Sequence, residues 1–401
     1  MSDLQYTFHS SHDEIPEWNE VAAFGGLYSS AEWVRVYEPT WVAVRSHGVV
    51  LAVVPCAVAL TSGVIPGLSE PDYLFNFDGN QDKVDVPVDQ LYPVVFCGTV
   101  RGYSCRLLIR AGLDAATRTA VLARLLEAVR ELGDRHGAKL IMFGFLPSSD
   151  VQELLAVDST LCAVFNEAEC VLGPITSFDA YLASLQTERR NSTKREIKRF
   201  AAHGLRVERR PVREVFELAA QLVADHEHKF DPRVTLDDGR RIVSLHSQPG
   251  LEERARLLCA MQGETMVGVS LFILHGRTYN SRYFAAHPAV PRDALLYYNL
   301  NYYAAIRAAS EEGVTAIHYG VNAVEPKVHR GCHARALWMV LDPRVSWSAE
   351  LRVRVRAMAK VRFDLTAAIL RKYHSEERVR GELGLGTDLV SSTRVGDKGE
   401  T

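Results

Sequence analysis

The 401-residue sequence contains no C-x-x-C pair, no long hydrophobic run and no large excess of charge of one sign. Its seven cysteines are an odd number at irregular spacing, which argues against a disulfide framework and a structural zinc site. The longest apolar run, Val49 to Leu60, holds 12 residues, whereas a membrane-spanning helix needs about 20. The acidic N-terminus is interrupted by Pro16 and does not resemble a signal peptide. These absences predict a cytoplasmic protein that has no membrane span and holds no metal.

Positive charge is concentrated in one segment of a slightly acidic protein. The chain has 46 Lys and Arg residues against 49 Asp and Glu residues, a formal net charge of −3. The segment from Glu188 to Arg213 carries ten basic residues against three glutamates, which gives +7 and leaves −10 for the rest of the chain. Such a segment predicts a ligand rich in phosphate: a nucleotide, coenzyme A or RNA. A solvated helix face is the alternative interpretation.

Two halves of the sequence repeat the same order of predicted elements. In the first half, an amphipathic helix from Asp114 to His136 is followed by a glycine and by the strand Lys139 to Pro147. In the second half, a helix from about Arg292 to Glu312 is followed by a glycine and by the strand Ala316 to Asn322. This repetition predicts two related α/β domains, although any α/β chain alternates in a similar way.

The predicted boundary between the two domains lies near Gly173 and Pro174. After the second domain, a stretch rich in Lys and Arg has the apolar spacing of a helix, and the last residues have little apolar content. We therefore predict an N-terminal domain, a C-terminal domain, a C-terminal basic helix and a disordered tail, over residues 1–173, 174–345, 346–381 and 382–401, respectively.

A polar stretch from His318 to Gly331 follows the last predicted strand of the second half. Ligands of α/β sheets lie beyond the carboxyl ends of strands, so this stretch is a candidate site. Lys327 and Arg330 would neutralise a phosphate or a developing oxyanion, and Glu325 or His329 would move a proton. A polar loop that only contains turn residues is the alternative.

A third cluster of polar residues lies between Asp225 and Asp231. On a helix, His226 and His228 would point about 200° apart, which is poor geometry for one metal ion. Glu227, His228 and Asp231 are therefore predicted to bind the acceptor, and His228 is also a candidate general base. The tyrosines of the predicted helix from Arg292 to Glu312 are expected to pack in the core and at its rim.

With these motifs in view, the chain resembles the Fem-like branch of the GNAT (Gcn5-related N-acyltransferase) superfamily. The resemblance depends on the RR-N-x-x-K-R-E-I-K-R helix and on the G-x-x-x-x-E-x-K-x-x-R-G stretch, and it is best over residues 175–340. It implies an α/β fold with two tandem GNAT-like domains, in which mixed central sheets are flanked by helices. The branch includes aminoacyl-tRNA-dependent peptidyltransferases of cell-wall synthesis and relatives that attach amino acids to small metabolites.

The resemblance also implies where the site residues lie. In the family, the basic helix lies near the substrate groove, and the terminal basic stretch with Lys327, Arg330 and Gly331 lines the acyl-transfer site. The spacing here departs from the K-x-G-F form of the cell-wall enzymes, and Cys332 replaces the aromatic residue. This departure argues against a cell-wall substrate. The residues that match the family's basic helix are Arg189, Arg190, Asn191, Lys194 and Arg195.

We therefore predict an acyltransferase that moves an aminoacyl group from aminoacyl-tRNA to an amine or hydroxyl of a small molecule in secondary metabolism, without a bound cofactor. Lys327 or Arg330 would stabilise the oxyanion, and Glu325 or His228 would take the proton. Further predicted substrate-binding residues are Glu227, Asp231, Tyr283, Tyr319 and Asn322. One alternative is an acyl-CoA-dependent N-acyltransferase, but residues 287–293 lack the usual R/Q-x-x-G-x-G/A pattern. The other alternative is a non-catalytic binding protein with a GNAT fold.

Overall fold

The computed structural model describes residues 3–37, 39–65, 67–76, 83–229 and 231–384. The strands are β1 Leu4–His9, β2 Thr40–Ser46, β3 Val49–Ala59, β4 Val94–Cys97, β5 Leu108–Ile109, β6 Leu140–Pro147, β7 Cys162–Leu172, β8 Leu205–Arg210, β9 Ala255–Gln262, β10 Thr265–His275, β11 Thr278–Ala286, β12 Ala316–His318 and β13 His333–Pro343. The helices are α1 Trp18–Val21, α2 Ala31–Val34, α3 Pro71–Asn76, α4 Ala115–Arg135, α5 Ser148–Val157, α6 Phe178–Ser184, α7 Thr187–Ala202, α8 Phe216–Glu227, α9 Leu236–Leu245, α10 Leu296–Tyr298, α11 Ala305–Glu311, α12 Val324–Val328, α13 Ala349–Arg371 and α14 Glu376–Leu383.

Contacts divide the described residues into two units. The first contains those of Met1–Glu169 and Ala334–Thr401, and the second is Cys170–His333. This division differs from the predicted boundaries, because β13 and the C-terminal helices are grouped with the N-terminal residues instead of following the second domain separately. The physical reason is backbone pairing: β13 pairs antiparallel with β6, from Leu337 opposite Pro147 to Pro343 opposite Leu140.

The first unit is built on a mixed sheet in the order β1-β2-β3-β4-β6-β13, with β5 paired to β3. The apolar run of the sequence is β3, whose side chains are mostly buried. The predicted amphipathic helix is α4, which begins after Asp114, whose carboxylate accepts a hydrogen bond from the Thr117 amide at 2.9 Å. Its apolar face is buried, and β4 and β6 on either side of it in sequence are parallel.

The second unit repeats this arrangement. Strands β9 and β10 form a hairpin, β11 pairs antiparallel with β10, and β12 runs parallel to β11 after an intervening helical segment. The last residues of β7 pair antiparallel with β12, and β8 completes the other edge beside β9. Both units therefore contain a hairpin, a further strand, a helix and a parallel strand, which confirms the predicted α/β class with mixed sheets.

The C-terminal basic helix is α13, and α14 follows it after Ser375. The predicted tail begins inside α14, since this helix continues to Leu383, and residues 385–401 lie outside the described part of the chain. Within the described residues, the structure has no helix with the length and apolar character that a membrane span requires.

Candidate functional site

The chain turns sharply after β12, where the sequence predicts the site. Three residues in this turn have left-handed backbone conformations: Gly320 at φ 66°, Asn322 at φ 64° and Ala323 at φ 45°. Glycine adopts this conformation readily, but the other two residues do so at a cost of about 1–3 kcal/mol each. The turn is held to β7, because the Tyr319 amide donates to the Cys170 carbonyl at 2.8 Å. It leads directly into the short helix α12.

Lys327 lies on α12 and its side chain is directed back to the turn. It is 5% exposed. Its Nζ donates to the carbonyl oxygens of Val321 at 2.7 Å and Gly320 at 3.3 Å. The ammonium group is therefore fixed at the carboxyl end of β12, at the position where the sequence predicts a stabilising charge.

Arg330 lies in a buried ion network that connects α12 to α7. It is 3% exposed, and its Nη2 is 3.4 Å from Glu196 Oε2. Glu196 Oε1 also accepts a hydrogen bond from Arg189 Nη2 at 2.6 Å. The Tyr303 hydroxyl donates to Glu196 and accepts from Arg189 at 2.7 Å. One carboxylate and one phenol therefore hold two guanidinium groups, and Arg189 is buried.

The electrostatics of this network favour negative charge on nearby groups and oppose further positive charge. Burial opposes ionisation of Glu196, but hydrogen bonds from Tyr303 and Arg189 and the charge of Arg330 outweigh it, so the pKa of Glu196 is below its usual value. Burial lowers the pKa of His329, and the charges of Arg189 and Arg330 lower it further. With two buried guanidinium groups for one carboxylate, the network has an excess of positive charge.

A π-helical segment, Asn299–Ala304, supplies the other side of the network. It interrupts the helix that the sequence predicts over 292–312, so that the observed elements are α10, the π-helical segment and α11. The segment presents Tyr303 to Glu196, and Asn299 Nδ2 donates to the Glu196 carbonyl at 3.3 Å. Such segments are rare and occur frequently at functional sites.

Aromatic rings surround the Arg330 guanidinium. Its Cζ lies 3.3 Å from the ring centroid of Tyr298, which is half-buried. Tyr319 stacks on Tyr302 at 4.5 Å, and its hydroxyl donates to the Asn301 carbonyl at 3.1 Å. Burial raises the pKa of Tyr319 well above its usual value, so that its hydroxyl is protonated. Asn322, by contrast, is exposed.

Helix α7 has two different faces. Arg189, Thr193, Glu196 and Phe200 repeat at intervals of three and four residues and are buried. The opposite face carries exposed side chains, and four of them are cations for which no described residue provides a hydrogen bond or an ion pair. Asn191 is exposed on the same face. The outer face of α7 is defined by these four cations: Lys194, Arg195, Lys198 and Arg199.

Except for Arg213, the remaining basic residues of the predicted phosphate-binding segment are engaged within the protein. Arg190 Nη2 donates to the Leu185 carbonyl at 3.0 Å, where α6 has just ended. On β8, Arg206 and Arg210 pair with Glu208, and Arg209 pairs with Glu311 and Glu312. Apart from Arg213, the unpaired positive charge of the segment is therefore concentrated on the outer face of α7.

The third predicted cluster lies at the end of α8, and within the described residues no hydrogen bond or ion pair joins Glu227, His228 or Asp231 to Lys327 or Arg330. Glu227 and His228 are exposed, and His228 Nδ1 is 3.2 Å from the Val234 carbonyl oxygen. Asp231 pairs with Arg233 at 2.8 Å, and the hydrogen bonds from Arg233 lower the pKa of Asp231 to about 2. This carboxylate is therefore a weak base.

Tyr283 lies on β11, toward the carboxyl end of this strand, which runs parallel to β12. It is half-buried, and its ring centroid is 5.5 Å from that of His246. Burial raises its pKa above the usual value, so that its hydroxyl is protonated. Glu325, which the sequence also nominates, lies in the first turn of α12 and is half-buried. Of the predicted general bases, Glu325 is therefore the one that lies on the same helix, α12, as Lys327.

Sequence reasoning missed Glu196 and Tyr303 as parts of the site. In the sequence, Glu196 stands out only as an opposing charge of the basic segment, although its position seven residues after Arg189 places both on one helix face. Tyr303 has no local signal, since its partners lie more than 100 residues away in sequence. Among the residues that the structure describes, no cluster of three His, Cys, Asp or Glu side chains could hold a metal ion.

Comparison with known proteins places these features in context. The model of the FemAB-like family, described as peptidoglycan biosynthesis/recognition, matches residues 91–348, which is more than half of the chain. The comparison with curated proteins gives no significant match.

Several proteins of known structure have a similar fold. FemX aligns with a TM-score of 0.54 at 14% identity, over 84% of this chain and 96% of FemX. A conserved protein of unknown function from Bacteroides thetaiotaomicron VPI-5482 aligns with a TM-score of 0.51 at 12% identity, over 84% of this chain and 99% of that one. A tandem GNAT protein from the clavulanic acid biosynthesis pathway aligns with a TM-score of 0.48 at 13% identity, over 86% of this chain and 100% of that one. At such identities, the first two alignments show the fold alone.

Proposed function

Because the chain belongs to the FemAB-like family, we propose that it is an acyltransferase that moves an aminoacyl group from an aminoacyl-tRNA to an amine or hydroxyl of a small-molecule acceptor. Family membership itself supports a transferase. The donor, the acceptor and a place in secondary metabolism are the parts proposed here. An aminoacyl-tRNA donor also requires a cytoplasmic location, and the proposal includes no bound cofactor.

The outer face of α7 is the single observation that carries the choice of donor. Its four cations have no partner among the described residues. Lys194, Arg195, Lys198 and Arg199 occupy about 140° of the helix circumference at 100° per residue, which forms one continuous surface. A row of cations along a helix matches the repeated phosphates of an RNA backbone, and releasing counterions from the RNA favours binding.

The loop before α10 supports RNA over coenzyme A. A GNAT enzyme that uses acyl-CoA holds the pyrophosphate with free backbone amides at a helix N-terminus. Here Pro288 and Pro291 have no amide hydrogen. The amides of Val290, Ala294 and Leu295 donate to carbonyl oxygens within the loop at 3.0–3.1 Å. Few amides therefore remain for a pyrophosphate.

The chemistry follows from the charges at the end of β12. The acceptor nitrogen or oxygen attacks the ester carbonyl, a new C–N or C–O bond forms, and the bond to the terminal ribose oxygen of the tRNA breaks. Lys327 supplies the charge that stabilises the oxyanion, and Arg330 adds to the local positive potential. Glu325 takes the acceptor proton and returns it to the departing ribose oxygen, because it lies on the same short helix as Lys327. His228 is the alternative base. Holding both substrates together provides much of the rate acceleration.

A charged-tRNA assay tests this proposal. The protein is incubated with a pool of aminoacylated tRNA and a panel of amines and alcohols, and parallel reactions contain ribonuclease or deacylated tRNA. Product that forms only with intact aminoacyl-tRNA supports the proposal. Product that forms with acyl-CoA and without RNA would assign the CoA-dependent alternative. Tight binding of tRNA without product, across a panel that includes peptidoglycan precursors, would assign the non-catalytic alternative.

A further inference from the structure

A cavity of about 510 Å³ lies in the second unit, away from the candidate site. It is lined by the end of β8, the start of β9, Tyr279 near the start of β11 and the end of α11. Because β11 and β12 are parallel, their starts lie at one edge of the sheet and their carboxyl ends at the other. The candidate site follows the carboxyl end of β12, so the cavity is at the opposite edge. Its volume lies within the range of about 300–1,000 Å³ that is typical of small-molecule sites.

The floor of the cavity is apolar with one polar group. Val212, Leu257, Leu258 and Ala308 line it and are buried. Tyr279 is 1% exposed and also lines it. Burial and the nearby Glu312 carboxylate raise the pKa of Tyr279, so its hydroxyl is protonated. The floor therefore suits an apolar side chain, with one phenol beside it.

The rim carries charges of both signs, and most of its cations are already neutralised. Arg209 pairs with Glu311 and Glu312, Arg256 pairs with Glu312, and Arg210 pairs with Glu208. The rim side chains without an ion pair among the described residues are one cation and two anions: Arg213, Glu252 and Glu253.

This charge balance selects the class of ligand. Four guanidinium groups line the cavity, which would first suggest a nucleotide, but three of them are paired. The unpaired rim charges have a net value of −1, which would repel a polyphosphate. A free ammonium group would pair with Glu252 or Glu253, and a carboxylate would pair with Arg213. We propose that this cavity binds a small zwitterion, namely an amino acid or a short peptide with an apolar side chain.

Calorimetry on the full chain, without tRNA or acceptor, tests the proposal. The probes are L-leucine and L-leucyl-L-leucine, which separate the amino acid from the peptide. N-acetyl-L-leucine lacks the ammonium group, L-leucinamide lacks the carboxylate, and AMP is the anionic control. We expect at least one zwitterion to bind with a dissociation constant near or below about 1 mM, and each truncated analogue to bind about tenfold more weakly.

Variants locate the binding. Arg213→Gln and the double variant Glu252→Gln/Glu253→Gln should each weaken the zwitterion about tenfold. Arg352→Gln, a change of an exposed arginine in the first unit, is the matched control, and Lys327→Ala tests the candidate site; both should bind as the parent protein does. Three results would each overturn the proposal. Neither zwitterion binds; AMP binds more tightly than the zwitterions; or Lys327→Ala loses zwitterion binding while Arg213→Gln keeps it.

Discussion

Lys327 is a buried ammonium that two backbone carbonyl groups fix in place at the end of β12. Carbonyl dipoles orient the ammonium and leave its charge unchanged, so this charge can stabilise an oxyanion that develops only in the transition state. We expect Lys327→Ala to lower kcat by about 10²–10³-fold, or roughly 3–4 kcal/mol, with a much smaller change in KM. Steady-state kinetics with saturating acceptor measures both constants.

Other roles for Lys327 give different results. If it only grips a phosphate of the donor, KM rises while kcat is unchanged. If it is a loop residue without a role, neither constant changes by more than about twofold, within the ~0.5 kcal/mol typical of surface substitutions. Because the side chain also holds Gly320 and Val321, circular dichroism and the more conservative Lys327→Met variant establish that the loop and the fold are intact.

Glu196 holds two buried guanidinium groups and is therefore expected to matter for stability. Glu196→Gln keeps the shape of the side chain but removes the charge that compensates Arg189 and Arg330. Breaking a buried pair from one side typically costs about 3–5 kcal/mol. We expect a large decrease in the denaturant midpoint for this variant. Glu188→Gln, an exposed glutamate of the same helix, is the matched control and should change the midpoint little.

The stability of the parent protein and the stability of Glu196→Gln should depend differently on pH. The pKa of Glu196 is lowered in the folded protein, since its hydrogen bonds and Arg330 outweigh burial. The folded state therefore favours the ionised form, and this contribution is present above the unfolded pKa and is lost as the pH falls through the lowered folded value. The difference in melting temperature between parent and Glu196→Gln should be constant near neutral pH and shrink below about pH 4.5. A difference that grows on acidification would contradict this linkage.

The sequence could predict the charged residues near the site but not which of them are buried. Lys327 and Arg330 are predictable because they follow a predicted strand, and Arg189 is predictable because it belongs to a basic segment. Basic composition alone does not reveal that Arg189 faces inward, since that depends on Glu196 and on Tyr303, which is distant in the chain. The helical spacing of Arg189 and Glu196 was the local signal available.

Helix α7 is the element whose two faces have separate roles in the proposed function. We expect the quadruple variant Lys194→Gln/Arg195→Gln/Lys198→Gln/Arg199→Gln to weaken tRNA binding and to reduce the slope of log Kd against log salt. Each lost phosphate contact reduces this slope by about 0.7–0.9, so the total decrease should approach 3. Binding measured by filter retention between low and moderate salt gives the slope.

A matched variant distinguishes the effect of the α7 cations on tRNA binding from the effect of the protein's net charge. Arg352→Gln/Lys360→Gln/Arg371→Gln/Arg380→Gln removes four exposed cations from α13 and α14. It has the same net charge as the α7 variant and should keep most of the salt slope. Equal losses in the two variants would mean that overall charge attracts the RNA, and an unchanged Kd in the α7 variant would remove this face from the donor site.

Most elements could be predicted from periodicity, and the exceptions have physical reasons. The helix α4 matches its apolar spacing, and β3 matches the apolar run. The π-helical segment Asn299–Ala304 was not predicted, because one inserted residue in a buried helix leaves little trace in a 3.6-residue pattern. The apolar spacing of α13 does not show which of its apolar residues are buried: Val361 and Leu365 are 45% and 61% exposed, since the buried face shifts around this long helix.

At the scale of the whole molecule, the repeated order of elements in the two halves could be read from the sequence, but strand pairing could not. Both units contain a hairpin and a parallel pair of strands separated by a helix. The pairing of β13 with β6 joins residues nearly 200 positions apart. Local patterns do not carry such information, and for this reason the predicted domain boundary at residue 345 differs from the observed grouping.

At the same scale, the residues that the structure describes also support a prediction about metals. The histidines and carboxylates near Asp231 do not converge: His226 packs its ring against Phe284, His228 is near the Val234 carbonyl, and Asp231 pairs with Arg233. We expect protein that is treated with a chelator, and then freed of it, to keep its kcat when tRNA folded with magnesium is added afterwards. This order keeps the magnesium that the RNA needs separate from any metal that the protein needs.

Elemental analysis of the purified protein should find zinc, iron and manganese far below one ion per chain. Activity that is lost after chelation and restored by one particular divalent ion would show that the acyl transfer uses a metal, and the oxyanion would then have to be assigned to that ion instead of Lys327.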